Sequence, residues 1–182
     1  MRLITLLLAL TVPACAPVPA ATMRALQTTD PATTDLAALR AAVEMPDALR
    51  PRPGTARLVF QLGGREGRFG LEEDEAASRL ARQDAPPAPG RRILAFRLTS
   101  EGRDALDAFR RAPGARRMTI GIAADACRAG SIGDGPLMIG TWVSTAQTGR
   151  FVALTQFDLR RLAGDAAIAA LPPCVTPAEG PA

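Results

Sequence analysis

The sequence predicts a mainly β or α+β domain: an antiparallel, β-sandwich-like fold with one or two short helices. Segments in which apolar residues recur with the period of two that is typical of strands appear along much of the chain. Turn signals separate them at intervals of about ten to twenty residues, which favours a mainly antiparallel arrangement. The alternating segments are residues 57–62, 93–98, 118–122, 137–145 and 151–157.

Two turns support this prediction. The strongest hairpin signal joins residues 137–145 to residues 151–157, because a short connector containing Gly149 links two strand-like segments. Gly63 and Gly64 predict another tight turn directly after the first clear strand.

Residues 39–45 fit two structures. Apolar residues alternate along this segment as in a strand, but Leu36, Leu39 and Val43 also have helical spacing. We favour a strand, because Pro46 and two further prolines break the chain before the next strand.

Helices are expected to be few and short. Ser100 can cap a helix that continues to Arg111 and ends at a Pro-Gly pair. Residues 72–82 form a weaker helical segment whose first turn is acidic, as the helix dipole favours. Residues 165–171 fit one or two further helical turns.

The composition excludes several kinds of chemistry, because the 182 residues include no His, no Tyr and no Lys. Mechanisms that need an imidazole base, a His metal ligand, a phenolic acid or a Ser–Lys dyad are therefore ruled out. The formal charge is only +4, and acidic and basic residues are interspersed. No basic stripe indicates a nucleic-acid partner.

The N-terminus has the pattern of an export signal. Arg2 precedes an apolar stretch of about ten residues, shorter than the roughly 20 that a membrane-spanning helix needs. Val12, Pro13, Ala14 and Cys15 then follow. This motif resembles the lipobox of bacterial lipoprotein precursors, in which small and aliphatic residues end at Cys.

The resemblance implies that residues 1–14 are a cleaved signal peptide and that Cys15 carries diacylglycerol and a further acyl chain such as palmitate. Two or three acyl chains anchor a protein stably to a membrane. Ala16 after the Cys, rather than Asp, implies the periplasmic face of the outer membrane. The alternative is an ordinary secretory signal cleaved near Ala14 or Ala16, with Cys15 incidental.

Three further regions are expected after the signal. Residues 15–32 are rich in Ala, Pro and Thr and are typical of a flexible, lipid-anchored tether. Residues 33–176 are expected to form a single β-rich globular domain. Residues 177–182 are expected to be a disordered tail.

Cys127 and Cys174 are predicted to form a disulfide, since two remaining thiols in an exported protein most often pair. A bond that closes a loop of this length gives about 4 kcal/mol of stabilisation in the chain-entropy model. The alternative, a redox or metal pair, lacks the Cys-x-x-Cys spacing and His ligands.

Two motifs could suggest an active site. Ser131 lies in an Ala-x-Ser-x-Gly variant of the hydrolase nucleophile elbow, but no His or Lys is present to activate it. We interpret it as part of a Gly-rich loop. The acidic residues 72–75 could bind calcium or act as a glycosidase pair, but consecutive positions point in different directions. A solvated helix start explains them better.

Arginine pairs and the single tryptophan offer two binding hypotheses. The pairs 91–92, 110–111, 116–117 and 160–161 could hold lipid or lipopolysaccharide phosphates if they cluster; scattered solvated charges are the alternative. Trp142 could stack on a ligand, but a lone Trp in a small β domain is usually a core residue.

These observations predict a non-catalytic, lipid-anchored module of the cell envelope that binds or scaffolds another component. We expect no catalytic residues, no metal site and no cofactor. Its first partner would be the membrane, through the lipid anchor. Another envelope protein, lipid headgroups or peptidoglycan are the further candidates. The alternatives are a carboxylate-based envelope hydrolase and a structural lipoprotein without a defined ligand.

Overall fold

The computed structural model describes residues 33–111 and 118–175, which contain nine strands and four helices. The strands are β1 Arg40–Pro46, β2 Leu49–Pro51, β3 Arg57–Leu62, β4 Arg65–Glu73, β5 Arg91–Leu98, β6 Met118–Ala123, β7 Ala126–Arg128, β8 Met138–Ser144 and β9 Val152–Asp158. The helices are α1 Glu75–Asp84, α2 Ser100–Arg110, α3 Leu159–Ala163 and α4 Asp165–Ala169.

Seven strands form one curled antiparallel sheet in the order β6-β3-β4-β5-β1-β8-β9, and β2 pairs with β7 in a small second sheet. All named strand pairs are antiparallel. The mainly β, α+β fold class is therefore confirmed. The sandwich-like layering takes the form of a single sheet that curls over its own core.

The curl begins at β4, which has two partners. β4 pairs with β3 over the six residues Arg65–Gly70, but it pairs with β5 only from Leu71 to Glu73. Helix α2 packs where β4 and β5 separate. Gly102 of α2 lies so close to β4 that an added Cβ would be 2.6 Å from the backbone oxygen of Gly70.

The main core lies inside the curl and joins both halves of the sheet. It contains Leu58 and Phe60 of β3, Phe96 of β5, Val143 of β8 and Leu106 of α2, all at most 5% exposed. Burial of this apolar surface provides the main stabilisation of the fold. Phe109 of α2 completes this core with edge-on ring contacts to β3 and β4.

Helix α1 covers the outer face of the sheet through small residues. Ala77 and Ala81 pack against Ala95 and its buried neighbours in β1 and β5. The buried hydroxyl of Ser78 accepts a hydrogen bond from the backbone N–H of Ala95 at 2.7 Å. The helix therefore lies close to the sheet and satisfies a backbone donor there.

Most predicted elements are confirmed. Residues 39–45 do form a strand, the alternating segments match β3, β5, β6, β8 and β9, and α4 lies within residues 165–171. Gly63, Gly64 and Gly149 have positive φ angles of 59°, 83° and 61° in the two predicted turns, a conformation that glycine adopts at little cost.

Two helix starts were predicted wrongly. Thr99, not Ser100, caps α2, because its Oγ1 accepts a hydrogen bond from the Gly102 N–H at 3.0 Å. Helix α1 begins at Glu75 rather than Glu72, since β4 continues to Glu73.

Three short elements had no prediction. Strands β2 and β7 have three residues each, and α3 has five. Segments of this length are too short to show a period, so their pairing depends on contacts made elsewhere in the fold.

The predicted disulfide between Cys127 and Cys174 is present, with Cα atoms 4.9 Å apart. It fixes the C-terminal segment to β7. On the same segment, the Arg128 N–H donates to Pro172 O at 2.8 Å and the Cys174 N–H donates to Arg128 O at 2.9 Å.

Several predictions concern residues that the structure does not describe. The signal peptide, Cys15, the tether that ends at residue 32 and the tail over 177–182 all lie outside the described residues. Within residues 33–111 and 118–175, no helix is long and apolar enough to span a bilayer.

Loss of the Cys127–Cys174 bond should lower the melting temperature by at least several degrees, because an unfolded chain without it gains up to about 4 kcal/mol of conformational freedom. Calorimetry with and without a phosphine reductant measures this shift. The double variant Cys127→Ser/Cys174→Ser is the control, since reductant should not change its melting temperature. Alkylation of both residues in unreduced, denatured protein would contradict the bond.

Candidate functional site

An apolar cavity of about 140 Å³ lies between the curled sheet and the small sheet. Seven of the nine strands in the described part of the chain contribute to its wall, including both edge strands of the curled sheet, β6 and β9. The apolar side chains around it include Val43, Met45, Leu49, Ile122, Ile139 and Phe157. The cavity therefore lies at the border of the core and is only partly enclosed.

The small sheet forms one wall of this cavity. Leu49, which is 1% exposed, packs with Met45 and Ile139 in a second core cluster, and Pro51 and Ala126 also line the space. Strand β7 is attached to the C-terminal segment through the disulfide. This wall of the cavity therefore depends on two three-residue strands and one covalent bond.

Polar groups at the cavity are few. Thr141 is buried, and its hydroxyl lies 3.5 Å from the carbonyl oxygen of Thr155. Asp125 is exposed and forms a long ion pair of 3.9 Å with exposed Arg52. The lining can surround an apolar group, but it supplies little for recognition of a buried charge.

Ser131 lies in the connection between β7 and β8 rather than on a strand-to-helix turn. Its loop lines an open cleft of about 800 Å³. Arg160 holds this loop, donating hydrogen bonds to Gly133 O at 2.6 Å and to Gly135 O at 3.0 Å. The Gly-rich loop is therefore positioned by an arginine, and Ser131 is one of its exposed residues.

The acidic residues 72–75 act in local structure. Glu72 pairs with Arg97 at 2.8 Å across β4 and β5. Asp74 caps α1, accepting a hydrogen bond from the Ala77 N–H at 2.9 Å. Glu72 therefore belongs to the end of β4, and Asp74 caps α1 from a partly buried position rather than the expected solvated one.

A second groove, of about 610 Å³, runs along β4 and the start of α2. Its charged residues are three arginines and three glutamates: Arg52, Arg57, Arg68, Glu72, Glu73 and Glu101. Arg57 is held by the carbonyl oxygens of Gly54 and Ala56, at 2.8 Å each. The groove is of mixed charge and favours neither an anionic nor a cationic ligand.

Five described arginines of the predicted pairs form ion pairs with acidic side chains. Arg91 pairs with Glu44 at 2.6 Å, and Arg92 pairs with Asp47 at 2.9 Å, both on β5. Arg110 and Arg111, at the end of α2, both contact Asp107, and Arg160 of α3 contacts Asp165. Residues 116 and 117 lie outside the described residues.

Trp142 occupies a core-like position. Its ring lies over Gly140, where an added Cβ would be 2.4 Å from the ring edge, and it packs against the cluster that contains Ala42 and Phe151. Trp142 therefore covers apolar residues on the outer face of the sheet beside α1.

The cavity was not predicted from the sequence. Its lining residues come from separate segments, and two of those segments are the short strands β2 and β7. The alternating apolar pattern of β1, β6, β8 and β9 indicated that their lining side chains face the core. It did not indicate that a space remains between them. Within the described ranges, no three His, Cys, Asp or Glu residues lie together as potential metal ligands.

The charge state of Asp74 links the acidic segment to stability. Burial raises the pKa of this carboxyl, but the hydrogen bond from the Ala77 N–H and the nearby Arg40 guanidinium, 2.9 Å away, outweigh burial. Its pKa therefore lies below the ordinary value. A depressed folded pKa means that the ionised carboxylate stabilises the folded state above pH about 4, and that this contribution is lost as the pH falls through the folded pKa.

Asp74→Asn should lower the free energy of unfolding by about 1 kcal/mol at pH 7, because it removes the charge beside Arg40. At pH 2 to 3 the two proteins should become more nearly equal, which urea titrations at both pH values measure. Glu75→Gln is the control, since Glu75 pairs only with exposed Arg79 and should change stability by about 0.5 kcal/mol or less. An effect of Asp74→Asn that stays constant with pH would contradict this account.

No known family model, curated protein or solved structure matches this chain significantly. A functional hypothesis for the chain therefore depends on its own residues and geometry. Among the spaces described above, the apolar cavity has the most uniform chemistry.

Proposed function

We propose that this chain is a lipid-anchored, non-catalytic binding protein of the cell envelope. Its ligand would place an apolar group, about the size of benzene or of the last few carbons of an acyl chain, in the cavity beside β2 and β7. The single observation that carries this proposal is the 140 Å³ apolar cavity.

The size and lining of the cavity support the proposal. Apolar cavities of about 150 Å³ exclude water and bind molecules such as benzene. The lining is apolar, although it encloses the space only in part. A ligand that fills the space would remove apolar side-chain surface from water, so binding needs no buried charge or hydrogen bond.

The expected lipid anchor is compatible with the binding of apolar ligands near a membrane. A tether over residues 15–32 would have a root-mean-square length of about 23 Å. The described chain enters β1 at Arg40, and the cavity lies around Val43 and Met45, near the other end of that strand. The anchored domain could therefore present the cavity at a distance from its attachment point.

The alternative of a carboxylate-based envelope hydrolase has less support. Glu72, Glu73 and Glu101 line the mixed groove, but Glu72 is already paired with Arg97. A glycosidase acid needs a pKa raised towards neutrality. Among the described residues, the carboxyl groups whose pKa clearly shifts are those of Glu66, Asp74 and Asp107, and in each the pKa is lowered.

Lipidation is tested at Cys15. Metabolic labelling with a clickable palmitate analogue in a diderm bacterium should label the full chain, and Cys15→Ser should lose the label and stay unprocessed. The double variant Cys127→Ser/Cys174→Ser is the matched control, since it removes the other two cysteines and should keep the label. Label retained on Cys15→Ser would contradict the anchor.

Ligand binding is tested by titrating benzene into the purified protein and following methyl resonances by NMR. Shifts should concentrate on Val43, Leu49 and Ile139, which line the cavity. Ala126→Leu adds apolar volume to the cavity wall and should weaken binding by at least about tenfold. Decanoate then tests whether the end of an acyl chain also binds.

The matched control is Ala167→Leu, the same change at an exposed position on α4. It should bind benzene as the unmodified chain does. Equal weakening in both variants, or the absence of methyl shifts at saturating benzene, would overturn the proposed binding function.

A further inference from the structure

A further pocket, of about 290 Å³, lies where β1, β5 and the start of α2 meet. One arginine from each element lines it: Arg40 of β1, Arg97 of β5 and Arg103 of α2. Among the described residues, Glu72 is the one acidic residue of the lining. The mixed groove along β4 has as many glutamates as arginines, so this arginine pocket is the more strongly cationic of the two.

Two of these arginines are placed against each other by the sheet. Arg40 and Arg97 are directly opposite in the register of β1 and β5. Opposed residues of antiparallel strands have Cβ atoms about 5 Å apart, and like charges in this position repel each other. Asp74, 2.9 Å from Arg40, and Glu72, 2.8 Å from Arg97, compensate part of this repulsion. Arg103 adds a third positive charge, so an anion in the pocket would stabilise the arrangement further.

The three guanidinium groups keep donors that the described residues do not use. Towards the described residues, Arg40 donates through Nε and Nη1 only, and Arg97 donates through Nε only. The Arg103 side chain forms no hydrogen bond or ion pair with a described residue. Because Arg40 is held by the carbonyl oxygens of Ala37 and Leu39, part of the site is formed before an anion binds.

A phosphodiester matches this set of donors. The guanidinium fork binds phosphate through two parallel hydrogen bonds, and the start of α2 adds the partial positive charge of a helix N-terminus. With Asp74 and Glu72 counted, three arginines face two carboxylates, an excess of one positive charge. A phosphodiester carries one negative charge and would balance that excess.

The place of the pocket points to a lipid as the source of the phosphodiester. Leu36 and Ala37 line the pocket, only a few residues after residue 32, where the expected tether ends. The apolar cavity lies near the other end of β1 and shares no lining residue with the arginine pocket. In an anchored chain, the pocket would follow directly on the membrane attachment, where phospholipid headgroups are concentrated.

We infer that the arginine pocket binds the phosphodiester of a phospholipid headgroup and thereby orients the anchored domain on its membrane. The lipid source rests on the proposed anchor, whereas the binding of a phosphodiester does not. The site uses none of the four adjacent arginine pairs of the sequence. It goes beyond the proposed function, because it is separate from the apolar cavity.

Glycerophosphoglycerol, the headgroup of phosphatidylglycerol, tests this site because it has no acyl chain to place in the apolar cavity. Titrated into the full chain in maltoside micelles, it should shift the amide NMR resonances of Ser100, Gly102 and Arg103. Arg103→Gln removes a charged donor that has no other partner, so it should weaken binding by about tenfold or more. Higher salt should also weaken binding.

The matched control is Arg161→Gln, which removes the same charge from an exposed position on α3. It should bind the headgroup as the unmodified chain does. Equal weakening in both variants would indicate an effect of net charge alone and would overturn the inference. Acetate at the same ionic strength should give much smaller shifts, and equal shifts would overturn the preference for a phosphodiester.

Two further measurements separate a lipid headgroup from free phosphate. Inorganic phosphate should bind more weakly than glycerophosphoglycerol, and tighter binding would assign the pocket to free phosphate instead. In phosphatidylglycerol vesicles, amides of residues 100–103 should exchange several-fold more slowly than in maltoside micelles, and Arg103→Gln should lose this difference. Unchanged exchange would overturn the lipid source. Failure of benzene binding or of palmitate labelling would leave the headgroup titration unaffected.

Discussion

The double pairing of β4 is the constraint on which the rest of this structure depends. Because β4 follows β3 for six residues but β5 for only Leu71–Glu73, the sheet turns over on itself instead of remaining open. The turn brings side chains of β3 and β8, distant in the strand order, into one core. Gly102 permits it, since the start of α2 lies against the backbone of Gly70 with no room for a side chain.

The same constraint explains how far the sequence could predict the molecule. Strands such as β3 and β5 were predictable because one face of each strand packs on the core and the other does not. Apolar residues therefore recur at every second position. Thr99 rather than Ser100 caps α2, because Thr99 follows directly on β5. The end of β5 is set by strand pairing, which the capping preferences of Ser and Thr do not reveal. The cavity depends on the relative position of seven strands, and no segment carries that information alone.

Arginine is the only basic residue in the sequence. Its chemistry explains why the acidic residues of the predicted motifs form ion pairs within the fold. Its guanidinium fork matches a carboxylate, so Arg40, Arg91 and Arg97 each bind an acidic side chain on a neighbouring strand or at a helix start. An acidic segment that might have been a metal or catalytic site is thereby used for capping and cross-strand contacts. Of the spaces described above, the least charged is the apolar cavity beside β2 and β7.

The cavity wall depends on oxidation. An isolated two-stranded sheet is marginally stable in water, and β2 and β7 pair over only three residues each. The Cys127–Cys174 bond restrains β7 directly, and Leu171, three residues before Cys174, packs with Met45 and Leu49 beside the cavity. Disulfides persist in exported proteins but are rare in the reducing cytosol. A chain with this wall would complete its cavity only where the Cys127–Cys174 bond can form and persist.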